Sequence, residues 1–198
     1  MLNHKNSSNV ILMLGLITLA IITRLPNHFL LGHVANFASI NAIALFSGAS
    51  FRKRDALCVT LMSILLSDCV VNYKLFATWS PFYLGWYWQY SSYALIALLG
   101  VLLKHRKNPI YLLLTSLSAS MLFFVISNLG VWLSTTMYPM TAHGLLTCYI
   151  AAMPFFKQTV ISDVLFAFML FYAYPFLKRF LIAAIITCKA LMLRFSWR

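Results

Sequence analysis

The sequence predicts an all-α fold, a polytopic membrane helix bundle of about six transmembrane helices. Hydrophobic residues fill 62% of the 198 positions and charged residues only 9%, which is too apolar for an ordinary soluble domain. The apolar residues form long runs separated by short basic clusters, and a helix needs roughly 20 apolar residues to cross a bilayer. We therefore expect one integral membrane domain over residues 1–198, with a core at 8–177 and a basic, apolar cytoplasmic tail at 178–198.

The apolar runs define the spans in chain order. They are residues 8–25, 37–51, 56–73, 82–103, 109–133 and 158–177. The first run shows no small-residue cleavage site, which favours an uncleaved helix over a signal peptide. Residues 139–157 contain Gly144 and two prolines, so we expect an outer loop that dips toward the membrane, whereas 180–198 is expected to lie along the inner surface.

The basic residues give the orientation. With the N-terminus inside, twelve of the fifteen lysines and arginines lie on the cytoplasmic side, and only Arg24, Lys74 and Lys157 lie outside. This asymmetry predicts a membrane protein with both its N-terminus and its C-terminus on the inner side. The net charge of +12 is divided among loop clusters, which is typical of membrane topology and does not indicate nucleic-acid binding.

Three similar polar pairs interrupt the apolar runs, namely Ser67-Asp68, Ser127-Asn128 and Ser162-Asp163. The predicted spans bring all three to the outer half of the bilayer. Carboxylates inside a membrane usually face the bundle interior or a wet cavity, which favours an outward-facing pocket for Asp68 and Asp163. Hydrogen bonding between helices explains the serines and Asn128 equally well.

An aromatic series precedes and enters the fourth span at helical spacing. Its members are Trp79, Tyr83, Trp86, Tyr90 and Tyr93. An interfacial aromatic belt explains the first members, but Tyr90 and Tyr93 lie deeper and need hydrogen-bond partners, so we expect them to face the interior. Such a stripe either stacks on a flat ligand or packs ordinarily between helices.

Smaller signals leave several alternatives open. Ala38, Ala42, Ala44 and Gly48 form a small-residue face for internal packing or for a partner subunit. Three alternatives are open for Cys69 and Cys148: both are plain buried thiols, the two form a disulfide in an oxidising periplasm, or Cys69 is a ligand of a soft metal. His28 and His33 are expected to be solvated loop histidines rather than metal ligands.

Motifs of the common catalytic classes are absent from the sequence. There is no GxxxxGK[ST], HExxH or GxSxG motif and no glutamate at all. We expect no enzymatic activity, no metal and no cofactor. A membrane enzyme acting on a lipid or prenyl substrate would need Asp68 and Asp163 close together around a divalent cation.

A set of short motifs between residues 23 and 174 resembles an uncharacterised family of bacterial integral membrane proteins. The motifs are Arg24-x-Pro26, Asn36-Phe37, Ala44-Leu45-Phe46-x-Gly48, Ser67-Asp68, Phe123-Phe124, Ser127-Asn128, Val131-Trp132, Tyr138-Pro139, Gly144-Leu145, Cys148-Tyr149 and Pro154-Phe155-Phe156. The size and six-span layout are also similar to the S components of energy-coupling factor vitamin transporters. That second resemblance implies a solute bound from outside and an energising membrane and ATPase module, although the first span lacks the AxxxA pairs common in S components.

These observations support two hypotheses of function. The first is an inner-membrane solute-binding or uptake protein with an outward-facing pocket for a small molecule such as a vitamin. Its ligand-binding residues are expected to be Asp68, Asn128, Asp163, Trp86, Tyr90 and Trp132. The alternative is a non-catalytic assembly or accessory subunit, held to its partner through the face around Ala44 and Gly48.

Overall fold

The computed structural model is an all-α helical bundle and describes residues 4–29, 38–105 and 108–176, with the side chains of the first range described from 9 to 25. The six α-helices are α1 (His4–Phe29), α2 (Ile40–Ser50), α3 (Lys53–Phe76), α4 (Trp86–Gly100), α5 (Pro109–Ser134) and α6 (Ala142–Phe168). A 3₁₀ turn at Val101–Lys104 follows α4, and a π-helical segment at Met169–Ala173 continues α6. The predicted fold class is confirmed, while the predicted tail at 178–198 and the loop residues His33 and Asn36 lie outside the described residues.

Three helices are long and apolar enough to cross a membrane. They are Lys53–Phe76, Pro109–Ser134 and the continuous segment Ala142–Phe176. The apolar parts of α1 and α2 are shorter, at Asn9–Leu25 and Ile40–Ser50. The described helices therefore indicate a membrane protein.

Helix α2 is the centre of the bundle. Residues 40–48 are all buried, and the helix packs against α3, α4, α5 and α6. A Cβ on Gly48 would meet the backbone oxygen of Ala97 in α4, and a Cβ on Gly100 would meet the backbone oxygen of Leu45 in α2. Two glycines thus bring α2 and α4 into direct backbone contact.

This packing decides between the two alternatives for the small-residue face. Ala42 and Ala44 have no exposed surface, and Gly48 is enclosed by α4. The prediction that Ala44 and Gly48 form a docking surface for a partner is therefore wrong. Small residues permit close helix contact whether the neighbour is internal or external, so the pattern alone does not distinguish the two.

The predicted outer loop at 139–157 is also wrong, because helix α6 begins at Ala142. The hydroxyl of Thr141 accepts a hydrogen bond from the backbone N–H of Gly144 at 3.1 Å and caps the helix. Pro154 lies on an exposed side of α6, where the helix continues past its missing N–H. The sixth apolar helix thus starts sixteen residues earlier than the predicted span at 158–177.

The aromatic series is only partly helical, since α4 begins at Trp86. Trp79 and Tyr83 lie in the connection before it, and Trp79 stacks on Tyr73 with ring centroids 4.2 Å apart. Tyr90 and Tyr93 are 8% and 7% exposed, which confirms that they face the interior. Gly85, with a φ of 79°, turns the chain into α4, and that turn ends the helical spacing of the aromatic residues.

Candidate functional site

Asp68 lies in a buried polar cluster between α1, α3 and α4. Its Oδ1 accepts from Arg24 Nη1 at 2.5 Å, and its Oδ2 accepts from the Tyr90 hydroxyl at 3.0 Å. The same Arg24 nitrogen donates to Ser67 Oγ at 2.5 Å. The Asp68 side chain is 3% exposed and the Arg24 side chain 17%, so each charge is compensated by the other away from bulk water.

Trp86 borders this cluster through its contact with Tyr90. The two rings meet edge to face, with centroids 5.2 Å apart, and Phe82 lies 4.7 Å from the other side of Trp86. One helical turn separates Trp86 from Tyr90, so both side chains lie on the same side of α4. The predicted proximity of Asp68, Trp86 and Tyr90 is present in the structure.

Asp163 lies in a second polar cluster, between α2, α5 and α6. Its Oδ2 accepts from Asn41 Nδ2 at 2.8 Å and from Ser120 Oγ at 2.5 Å. Asp163 is 1% exposed and Asn41 4%. Among the described residues, Asp68 and Asp163 share no hydrogen-bond partner, so the two acids belong to separate clusters.

Asp163 and Asn128 lie at different levels along the pair of helices α5 and α6. Helices α5 and α6 are antiparallel: Cys148 Sγ lies 3.5 Å from the Asn128 carbonyl oxygen, and Ser120 bonds Asp163. Ser120 lies eight residues before Asn128 on α5, which is about 12 Å along the helix. Asp163 therefore lies well away from Asn128 along the α5–α6 pair, because α6 begins at Ala142 rather than at residue 158.

Asn128 instead lines a cleft of about 150 Å³ between α4, α5 and α6. Its amide nitrogen donates to the Phe124 carbonyl oxygen at 2.7 Å within α5. The cleft combines polar and aromatic side chains. Its lining comprises Gln89, Phe123, Phe124, Ser127, Asn128, Val131, Ala152, Phe155, Phe156 and Thr159.

Trp132 lies apart from all three sites. Its indole Nε1 donates to the Pro139 carbonyl oxygen at 3.0 Å, which ties the end of α5 to the connection leading into α6. The six residues predicted to form one site are thus divided. Asp68, Trp86 and Tyr90 lie together, and Asn128 lines the cleft. Asp163 lies in the second polar cluster, and Trp132 bonds the connection between α5 and α6.

Three polar residues of the clusters were missing from the prediction. Arg24 was expected on the outer side at the end of the first span, yet it lies within α1 with its side chain paired to Asp68. Asn41 and Ser120 were not singled out, although each is buried. The available signal was charge: a buried carboxylate needs a partner, and Arg24 is the only cationic side chain between Lys5 and Arg52.

The cysteines and histidines contribute no metal centre in the described part of the chain. Cys58, Cys69 and Cys148 are free thiols, so the disulfide alternative for Cys69 and Cys148 is wrong. Among the described residues no group of three or more His, Cys, Asp or Glu side chains could hold a metal ion. The side chains of His28 and His33 lie outside the described residues.

The chemistry available to these sites is recognition by hydrogen bonding and stacking. The Arg24–Asp68 cluster is occupied by the protein's own groups, whereas the cleft at Asn128 exposes amide and hydroxyl groups beside aromatic rings. Aromatic and polar groups together are characteristic of small-molecule sites. The cleft is therefore the part of the predicted site best arranged to receive a ligand.

Comparison with known proteins found no match among curated proteins and none among solved structures. A protein-family model does match, over residues 4–195, and it describes a family of unknown function (DUF6580). The match includes all six helices and both polar clusters. The chain therefore belongs to the family of unknown function DUF6580.

Proposed function

We propose that the protein binds a small solute in the cleft between α4, α5 and α6, as the recognition step of a solute-binding or uptake system in the bacterial inner membrane. The observation that carries the proposal is the lining of the cleft. Side-chain amides of Gln89 and Asn128 and hydroxyls of Ser127 and Thr159 lie among phenylalanine rings. Hydrogen-bonding groups fix the orientation of a ligand and the rings supply contact area.

The Arg24–Asp68 cluster supports this site from the neighbouring side of α4. Tyr90 bonds Asp68, while the adjacent Gln89 lines the cleft and accepts a hydrogen bond from the Tyr83 hydroxyl at 2.6 Å. Adjacent residues on one helix move together. The ion pair therefore acts as an anchor that holds α4 and the polar groups of the cleft in position.

The proposed topology has six helical segments with both ends inside. Arg24 and Asp68 lie in the C-terminal halves of α1 and α3, which supports a parallel pairing of these two helices, and α5 is antiparallel to α6. This pairing puts Lys5, the 52–54 cluster and the start of α5 at one end of the bundle, which supports the charge asymmetry of the loops. The cleft and Asn128 then lie toward the opposite, outer end.

The decisive experiment is mass spectrometry of small molecules retained after gentle purification. Ser127→Leu fills the cleft with an apolar side chain, and Ser118→Leu is the matched control on an exposed side of the same helix. We expect the parent and Ser118→Leu to retain a solute that Ser127→Leu loses at an unchanged melting temperature. Equal retention by all three proteins, or no retained solute in any, would contradict the proposal.

The second candidate is a non-catalytic assembly or accessory subunit without a small ligand. One observation favours it: Arg24 donates to both Ser67 and Asp68, and Tyr90 donates to Asp68, so the cluster forms a continuous internal network, as in a purely structural role. This candidate predicts a stable protein partner on mild solubilisation and no retained solute. The same purification tests both candidates.

A further inference from the structure

Asp163 is a buried carboxylate with no cationic partner among the described residues. The ion pair in that part of the chain joins Arg24 to Asp68 and leaves Asp163 bonded to an amide and a hydroxyl. An isolated ionised carboxylate in an apolar environment is costly unless a positive charge compensates it. Asp163 therefore differs from Asp68 in lacking an internal counter-charge.

Two buried oxygen atoms, one in this cluster and one next to it on α5, have no hydrogen-bond partner among the described residues. Asn41 Oδ1 belongs to the amide whose nitrogen bonds Asp163, yet it is buried without a hydrogen-bond partner in the described chain. Ser116 Oγ, one turn before Ser120 on α5, is likewise buried and unpartnered. A buried carbonyl oxygen can only accept, so Asn41 Oδ1 needs either a hydrogen-bond donor or a bound cation.

The Ser120 hydroxyl has one hydrogen but two acceptors within hydrogen-bond distance. It lies 3.1 Å from the Ser116 carbonyl oxygen and 2.5 Å from Asp163 Oδ2. One hydroxyl hydrogen serves only one of these acceptors well, and if it goes to the Ser116 carbonyl, the short contact between Ser120 Oγ and Asp163 Oδ2 needs a hydrogen on the carboxyl group. The cluster is short of positive charge and of donors at the same place.

The side chains facing Asp163 from neighbouring helices are otherwise uncharged. Helix α2 presents Asn41, and α5 presents Ser120 with Ser116 one turn away. Tyr93 of α4 is a buried titratable residue in the same bundle interior. Its ring stacks on Phe123 at 5.1 Å, and it brings no positive charge.

We propose that Asp163 is the centre of a buried site for one monovalent cation, either a proton or Na⁺. As a proton site, the carboxyl O–H donates to Asn41 Oδ1 or Ser120 Oγ. As a sodium site, the carboxylate, the Asn41 carbonyl oxygen and the serine hydroxyls supply hard oxygen ligands. A single carboxylate balances one charge, which suits a monovalent cation, and the site does not depend on solute binding in the cleft.

Two measurements on the purified full chain distinguish the cations. Infrared spectroscopy at neutral pH detects a protonated carboxyl through its C=O stretch, and thermal unfolding with Na⁺ replaced by choline at constant ionic strength detects sodium. We expect one of two signals: a carboxylic band, or a melting temperature that rises with Na⁺. Either signal should disappear in Asp163→Asn and persist in Asp55→Asn, which alters an exposed acid at the start of α3.

Ser120→Ala keeps the acid and removes one oxygen, so it serves if Asp163→Asn does not fold. It should shift the frequency of the carboxylic band, or raise the Na⁺ concentration needed for half of the stabilisation. A parent protein with no carboxylic band and equal melting temperatures in Na⁺ and choline overturns the proposal. A signal that is identical in Asp163→Asn and the parent overturns it as well.

Discussion

The guanidinium of Arg24 and the carboxylate of Asp68 form an ion pair between α1 and α3, with Nη1 and Oδ1 2.5 Å apart. The pair connects α1 to α3 through two residues that are forty-four positions apart in the sequence. Ser67 and Tyr90 complete the hydrogen bonding around it. This relationship makes the cluster a joint among α1, α3 and α4.

Removing one partner of this pair should destabilise the protein. Asp68→Asn leaves the Arg24 charge uncompensated, and breaking a buried pair in this way costs about 3 kcal/mol, the low end of the range because Arg24 is 17% exposed. Thermal unfolding in detergent measures the loss. The control is Lys74→Gln, at an exposed position near the end of α3, for which we expect almost no change.

The double variant tests whether the cost comes from the unpaired charge. In Arg24→Met with Asp68→Asn no charge remains buried, so its loss of stability should be smaller than the sum of the two single losses. Additive losses would mean that Arg24 and Asp68 act independently.

The hydroxyl of Tyr90 should contribute measurably through its bond to Asp68. Tyr90→Phe removes a hydrogen bond to a charged group, which is worth about 1.5–3 kcal/mol. Tyr87→Phe is the control, because Tyr87 is on the same helix, is half exposed and bonds the hydroxyl of Ser134. Equal unfolding temperatures for the two variants would contradict the assigned role of Tyr90.

The contact between α2 and α4 should tolerate no added methyl group. Gly48→Ala or Gly100→Ala places a Cβ against backbone atoms that cannot rotate away, for an expected cost of about 1–3 kcal/mol. Gly15→Ala in α1 is the matched control, since a Cβ there meets nothing within 4 Å. Helix propensity predicts that this control gains up to about 1 kcal/mol, and unfolding that is equal in all three proteins would disprove the close contact.

The proposed topology predicts opposite reactivity for cysteines at the two ends of the bundle. Thr136→Cys lies in the exposed connection between α5 and α6, and His105→Cys lies exposed after the 3₁₀ turn. A membrane-impermeant maleimide should modify the first variant in intact cells and the second only after permeabilisation. The gel shift of the parent corrects for its native thiols, and the reverse pattern would refute the N-in orientation.

The sequence predicted the features that depend on hydropathy and on the need to satisfy buried polar groups. The helical bundle, the buried Tyr90 and Tyr93, and the polar surroundings of Asp68 all follow from those rules. The role of Arg24 in this cluster was not predicted, because a charge at the end of an apolar run resembles the boundary between a span and a loop. Its partner on α3 becomes visible only when α1 and α3 pack together.

The error at α6 came from interpreting the glycine and the two prolines of residues 139–157, Pro154 among them, as marks of a loop. A proline removes one N–H from a helix and is tolerated on an exposed side, which the sequence does not reveal. That one choice moved Asp163 toward Asn128 and away from Asn41 and Ser120. The internal use of Ala44 and Gly48 was equally hidden, because a small-residue face looks the same whichever helix it contacts.

The burial of residues 40–48 of α2 has a consequence for biogenesis. Its 11 residues measure about 16 Å, short of the roughly 30 Å of a hydrocarbon core, so α2 is a poor candidate to insert alone. The four helices that pack most extensively against it, α3, α4, α5 and α6, are all synthesised after it. Helix α2 therefore reaches its final surroundings only after most of the chain has left the ribosome, and the last helices to emerge complete the fold around one of the first.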